Sequence, residues 1–254
     1  MLPSGMRHFG LIGYPLTHSF SKQYFADKFE REGIKDCQYN NYPIEHISLL
    51  PELAASKTTL AGLNVTIPYK EKVIPYLEMP DPDIALIGAV NTIKIIRQGA
   101  RIRLIGYNTD VYGFHHSIAP YIQPHFRNAL ILGTGGSSKA VAYVLHHFGI
   151  QVIHVSRSPS AQGQISYKQL NRELIEKSLV IVNASPVGMY PDINSFPDIP
   201  YEFLTPRHVL FDLIYNPPES GFLSRGKQQG TQIVNGLQML HLQAERSWII
   251  WNEK

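Results

Sequence analysis

A chain of 254 residues, 44% hydrophobic and 17% charged, can bury one large core or two modest ones, which excludes a disordered, collagen-like or disulfide-stapled protein. The net charge of +3 is dispersed and argues for no nucleic-acid partner, and the single cysteine, Cys37, cannot form an internal disulfide and suits a reducing cytoplasm. Apolar runs such as residues 179–182 and 248–251 are too short to span a membrane, and the first residues carry no basic start, apolar run and cleavage site of a secretory signal.

In chain order, residues 1–5 read as a loose leader and residues 9–13 as a first strand. Ser21 is placed to cap a helix with Phe25 and Phe29 on one face, stopped by Gly33. Extended segments are predicted at residues 38–42, 62–65, 90–96 and 101–105, with helices at 49–55 and 71–77 between them. A second series opens near Asn128. It has a short apolar strand at 129–132, a glycine-rich turn, and a helix at 137–148 closed by Gly149. Strands follow at 151–155, 179–182, 208–211 and 232–234. The final segment places Leu240, Ala244, Trp248 and Trp251 three, seven, eleven and fourteen residues after Leu237, a single apolar stripe on a long helix. This alternation predicts an α/β fold with parallel sheets in two units, the last helix returning to the first.

Gly133-Thr134-Gly135-Gly136-Ser137-Ser138 lies between a predicted strand and a predicted helix. Glycines there permit a tight turn and let backbone approach a pyrophosphate, while the N–H groups that open the helix receive the anion. Ser138 replaces the third glycine of the usual fingerprint. About twenty residues beyond the first glycine, where an NAD site carries an acid, the chain instead has Ser156-Arg157-Ser158. A guanidinium and two hydroxyls suit a 2′-phosphate, so NADP is favoured over NAD.

Three polar turns are read as following strands in the first unit: Asn64-Val65-Thr66-Ile67-Pro68-Tyr69-Lys70, Asn91-Thr92 after Gly88-Ala89-Val90, and Asn108-Thr109-Asp110. Pro68 ends the strand before it, and Asp110 can cap a helix beginning at Val111. Turn chemistry accounts for each singly; three at neighbouring strand ends in an α/β unit mark a ligand edge.

These motifs resemble shikimate dehydrogenase over nearly the full length. The shared pattern comprises Ser19-Phe20-Ser21, the Asn64 to Lys70 stretch, Gly88 to Thr92, Asn108-Thr109-Asp110 and the glycine turn. It continues through Asn183-Ala184-Ser185-Pro186-Val187-Gly188-Met189, Asp212 to Pro217, and Asn235-Gly236 with Gln243, all in order. The resemblance implies a substrate-binding and catalytic domain over residues 1–109, completed by 235–254, and a Rossmann-like NADP-binding domain over 110–234, with substrate in the cleft. It implies reversible, NADP-linked reduction of 3-dehydroshikimate to shikimate in the cytoplasm, by a monomer or homodimer. Lys70 and Asp110 would be the catalytic pair, and Ser19, Ser21, Asn64, Thr66, Asn91, Tyr215 and Gln243 would line the substrate. The cofactor would meet Gly133, Thr134, Gly135, Gly136, Ser137, Ser138, Ser156, Arg157, Ser158, Leu213 and Gly236. The family's second arginine after the Asn-Arg-Thr signature is absent, Ala161 standing there. Serine at position 21 is the family's choice for shikimate, where quinate-accepting relatives often carry threonine.

Reducing a ketone by hydride leaves negative charge on oxygen, so the site needs a positioned donor there. The Lys70 ammonium would supply that proton and take it back in reverse, with Asp110 holding the ammonium and a neighbouring substrate hydroxyl. Two other readings share the same residues: an NAD-using quinate/shikimate dehydrogenase, and a non-catalytic nucleotide or shikimate sensor on this fold. The eleven histidines give no metal motif, since His115-His116 and His146-His147 are adjacent pairs that a helix points apart, and no metal is expected.

Overall fold

The computed structural model describes residues 5–16, 20–79 and 82–253, so Ser19 lies outside the described residues. The elements run β1 (Arg7–Gly13), α1 (Phe20–Arg31), β2 (Cys37–Pro43), α2 (Leu50–Ser56), β3 (Leu60–Val65), α3 (Pro82–Ile87), β4 (Thr92–Gln98) and β5 (Arg101–Tyr107). They continue as α4 (Thr109–Ile118), β6 (Asn128–Leu132), α5 (Gly136–His147), β7 (Gln151–Ser156), β8 (Gln164–Ser166) and α6 (Arg172–Lys177). The series closes with β9 (Val180–Asn183), β10 (Val209–Asp212), α7 (Gly221–Gln228), β11 (Gln232–Val234) and α8 (Leu237–Asn252). Chain contacts divide into two compact units, Met1–Thr109 with Ala244–Lys254, and Asp110–Gln243. Among the described residues no helix is long and apolar enough to cross a membrane.

The first unit holds a five-stranded sheet in the order β2-β1-β3-β4-β5. Strand β1 is flanked by parallel β2 and β3, whereas β4 and β5 are antiparallel. This departs from the expected all-parallel sheet, and the chain shows why. Gln98 pairs with Arg101, leaving only Gly99-Ala100 to turn, and a connection that short can form a hairpin but not a crossover. Because β4 runs backwards, its first residues lie beside the end of β3, with Asn64 opposite Thr92.

The period-2 alternation of β1 sends Phe9 and Leu11 to one face and Ile12 to the other. The Phe9 face is closed by Phe25 and Phe29 of α1 and by Ala244 and Trp251 of α8. The Trp251 ring stacks on Phe9 with centroids 4.8 Å apart, and its indole N–H donates to the Ile93 carbonyl at 3.0 Å. Lys28 of α1, only 4% exposed, meets Glu32 and Glu245 at 2.8 Å each and so pins this part of α8.

The second unit holds a six-stranded parallel sheet in the order β11-β10-β9-β6-β7-β8. The chain leaves β6 outward through β7 and β8 and resumes on the other side at β9. That reversal is the doubly wound Rossmann arrangement, with its switch point between β6 and β9. One face packs on Phe114 and Ile118 of α4 and Val141, Val144 and Leu145 of α5; the other packs on Ile175 of α6 and Phe222 and Leu223 of α7.

Several local expectations change. Helix α1 already includes Phe20, so Ser21 is inside it rather than capping it, and α4 begins at Thr109, which puts Asp110 in its first turn. Residues 71–77 form turns and a single 3-10 turn at Ile74–Tyr76, because Pro75 interrupts the helical hydrogen-bond ladder. Leu237, at the head of the apolar stripe, is exposed while Met239 enters the core.

A Cβ added at Gly62 of β3 would lie 2.3 Å from the Trp251 indole nitrogen. Gly62→Ala is therefore expected to lower unfolding stability by about 1–3 kcal/mol, the typical cost of an overpacked core, as read by denaturant titration. A neutral result would mean that α8 does not seat this closely.

Candidate functional site

At the switch point of the second unit, β6 ends in Gly133, whose φ of +121° is open to glycine alone; an added Cβ would meet the Ala184 carbonyl at 3.0 Å. The turns after β6 and β9 thus close on one another. Helix α5 then starts with Gly135 as its N-cap, with no side-chain cap and no acid in its first turn. A Cβ at Gly135 would meet no protein atom within 4 Å, leaving open space over the helix start for an anion. Thr134 and Gly135 are exposed, and Gly136 and Ser137 half-buried. Ser138 is buried and gives both its hydroxyl (2.6 Å) and its N–H (2.9 Å) to the Gly135 carbonyl, so the serine in the third glycine's place braces the turn from inside.

At the end of β7, Ser156 Oγ accepts the Ser158 N–H at 3.2 Å and shapes the turn that presents Arg157. Arg157 is exposed and has no carboxylate partner among the described residues. The residues present therefore fit a dinucleotide with a charged ribose: open space and helix N–H groups for the pyrophosphate, an unneutralised guanidinium beyond.

Asp110, in the first turn of α4, is 1% exposed, and the Ser137 hydroxyl donates to its Oδ2 over a long 3.4 Å. The candidate carboxylate and the glycine-turn helix thus belong to one body. The neighbouring strand ends are tied by Asn183 and Asp212, both fully buried. Asn183 donates to Asp212 Oδ1 at 3.0 Å and to the Val187 carbonyl at 3.2 Å, and its Oδ1 accepts the Ser185 N–H (3.1 Å) and hydroxyl (2.7 Å). Asp212 also accepts the Ile214 N–H at 3.0 Å and the Ser220 hydroxyl. Burial pushes its carboxyl up to about 7, against the opposing pull of these donors. Leu213 N–H is held by the Asn183 carbonyl at 2.9 Å and Gly236 N–H by the Ile214 carbonyl at 3.0 Å. Tyr215 is half-buried, its phenol raised by desolvation, and Gln243 is half-buried on α8.

In the first unit, the Thr66 N–H bonds the Ile12 carbonyl (2.9 Å), Tyr69 N–H bonds the Thr66 carbonyl (2.9 Å), and Val90 N–H bonds the Lys70 carbonyl (2.7 Å). These bonds fix the turn carrying Thr66 and Lys70, both half-buried. Beside it runs a connected set of side chains. Ser21 bonds the phenol of Tyr39, which burial raises and keeps protonated, and Tyr39 donates to Asn64 Oδ1 at 2.9 Å. The Asn64 amide then reaches Ser247 Oγ (3.0 Å), Thr92 Oγ1 (3.2 Å) and the Asn91 carbonyl (3.3 Å). Asn64, itself half-buried, therefore spends its amide nitrogen on the protein. Asn91 Oδ1 accepts the backbone N–H of Thr109 at 2.7 Å, which settles which way that amide faces.

A family model described as the shikimate dehydrogenase substrate binding domain matches residues 11–93. A shikimate dehydrogenase (NADP(+)) of Syntrophomonas wolfei is 38% identical, over 91% of this chain and 84% of its own. The chain belongs to the shikimate dehydrogenase family. The crystal structure of shikimate dehydrogenase 1 from Peptoclostridium difficile matches with TM-score 0.81 and 36% identity, covering 97% of this chain and 91% of that one. Shikimate 5-dehydrogenase from Thermus thermophilus, in complex with NADP(H) and shikimate, matches with TM-score 0.82 and 30% identity, over 97% and 94%.

Among the residues singled out from sequence, the first unit gathers Ser21, Asn64 and Asn91 into one hydrogen-bonded set, and the second gathers Gly133 to Ser138 with Asp110. Tyr39, Ser247 and Ser220 carry no sequence signal of their own, and Thr109 carries one only as the middle of the Asn108-Thr109-Asp110 turn. Tyr39, Thr109 and Ser247 work by meeting partners far along the chain, and Ser220 by meeting Asp212 across a turn; a pattern of contact residues passes over such supports.

Because the Asp212 carboxyl is raised by burial, the folded protein holds a proton there that the unfolded chain releases. The stability it contributes is complete below about pH 4, the ordinary aspartate range, and is lost as pH rises towards about 7. Thermal melts should show Asp212→Asn gaining on the wild type as pH goes from about 5 to about 8. A constant difference between the two would refute the assignment.

Proposed function

We propose that this chain is an NADP-dependent shikimate dehydrogenase that interconverts 3-dehydroshikimate and shikimate. The observation that carries the reading is the contact of Asp110 with Ser137. It sets a buried carboxylate at the very helix whose open N-terminus suits the pyrophosphate. The first unit, with residues 1–109 completed from the C-terminal helix, binds the substrate, and the second binds the dinucleotide. Ser19 and Ser21 receive the substrate carboxylate; Asn64, Thr66, Asn91, Tyr215 and Gln243 meet its ring substituents.

NADP, when bound, supplies or removes the hydride. Lys70 gives a proton to the carbonyl oxygen as charge builds there and takes it back in the oxidative direction. Asp110 accepts a hydrogen bond from a neighbouring substrate hydroxyl and fixes the ring, and such a charge-assisted bond is worth about 1.5–3 kcal/mol. Ser156, Arg157 and Ser158 hold the 2′-phosphate. The single cysteine, Cys37, is buried and leaves no internal disulfide to form, in keeping with a cytoplasmic protein.

Steady-state assays with both cofactors on shikimate and quinate test the reading, with NADP and shikimate expected to give the greatest kcat/KM. Comparable rates on quinate with NAD would overturn the substrate assignment, and tight NADP binding without turnover on either substrate would point to a sensor. Lys70→Ala should cut kcat by about a hundredfold or more while changing shikimate KM by a few-fold; an unchanged rate removes Lys70 from its role. Arg157→Ala should raise the KM for NADP about tenfold and leave that for NAD nearly unaltered.

A further inference from the structure

We propose that Ser247, on the C-terminal helix α8, is a positioning residue for the substrate side of this site; the proposal rests on the shikimate reading above. Ser247 is fully buried, and its hydroxyl lies 3.0 Å from the Asn64 amide nitrogen, 2.8 Å from Thr92 Oγ1 and 3.3 Å from Thr109 Oγ1. Both threonine hydroxyls reach Asn91 Oδ1, Thr92 at 3.3 Å and Thr109 at 3.2 Å. The Asn64 amide nitrogen can only donate, so Ser247 Oγ accepts from it, and the same oxygen shares hydrogen bonds with the two threonine hydroxyls. Each threonine hydroxyl donates towards Asn91 Oδ1, which as an amide oxygen can only accept.

The network thus runs from Asn64 through Ser247 and the threonines to Asn91, and it ends on the oxygen that also holds the Thr109 N–H. Thr109 is the first residue of α4, and Asp110 follows it. Removing the Ser247 hydroxyl leaves the Asn64 amide without its shortest acceptor and the two threonines free to re-pair. Asn91 and the start of α4 then lose a fixed setting while the dinucleotide-facing turns of the second unit keep theirs. Small misplacements of positioning groups cost large factors in rate, so the loss should register on the substrate.

The test is Ser247→Ala compared with Ser117→Ala. Ser117 is an equally buried serine of α4 whose hydroxyl has no hydrogen-bond partner among the described residues. We expect Ser247→Ala to raise shikimate KM about five- to tenfold with KM for NADP within about twofold, and Ser117→Ala to shift neither. A fold defect alone would lower the active fraction, and so kcat, without moving KM. Should Ser247→Ala not fold, Thr109→Val must reproduce the shikimate-specific change and Thr109→Ser must restore it. Normal wild-type turnover with unaltered shikimate KM in Ser247→Ala and Thr109→Val would overturn this proposal alone. A wild type inert towards shikimate would overturn the functional reading and this proposal with it.

Discussion

A buried amide oxygen that holds the first N–H of a helix is the interaction on which the substrate side depends. Asn91 Oδ1 takes the Thr109 N–H at 2.7 Å where neither residue is more than 3% exposed. In that setting an unpaired N–H or carbonyl costs about 1–3 kcal/mol, so the pairing is held firmly and α4 can start in only one place. The reversed direction of β4 is what makes this possible, since it brings Asn91 and Thr92 to the edge where β3 and β5 end.

The second unit solves the same problem with the same residue type. Asn183, at the end of β9, uses its oxygen to hold Ser185 and its nitrogen to grip Asp212 on the next strand. Asparagine suits both places because its short side chain carries a donor and an acceptor on one rigid group, able to join a strand end to the turn beside it. In each unit the turns that would face a ligand are fixed from behind by buried pairs. The groups in front, such as Arg157 and the open start of α5, keep room to meet one.

The fold was largely legible because its signals are local. Apolar runs ending in polar or glycine turns marked β1, β3, β6, β7 and β9 to within a few residues, and the glycine turn identified the nucleotide edge. What escaped the sequence depends on distance or on register. The hairpin of β4 and β5 turns on two residues, Gly99 and Ala100, that differ little from an ordinary loop. Pro75 broke a stretch whose apolar spacing was otherwise helical. The supports of the candidate site were invisible because a serine at position 247 looks like any helical serine until β3 and α4 are folded against it. Asp212 belongs to a stretch the sequence pattern marks, but its burial does not show there, because it comes from the strands on either side and not from its neighbours in the chain.

The division of the first unit between two stretches of sequence bears on how the protein is made. A ribosome delivers the β1 to β5 sheet first, then the whole of the contiguous second unit, and only afterwards the segment with Ala244 and Trp251. During that interval the aromatic face of Phe9 and Phe25 lacks the cover that Ala244 and Trp251 supply, so the core of the first unit is complete only when the last helix has been made.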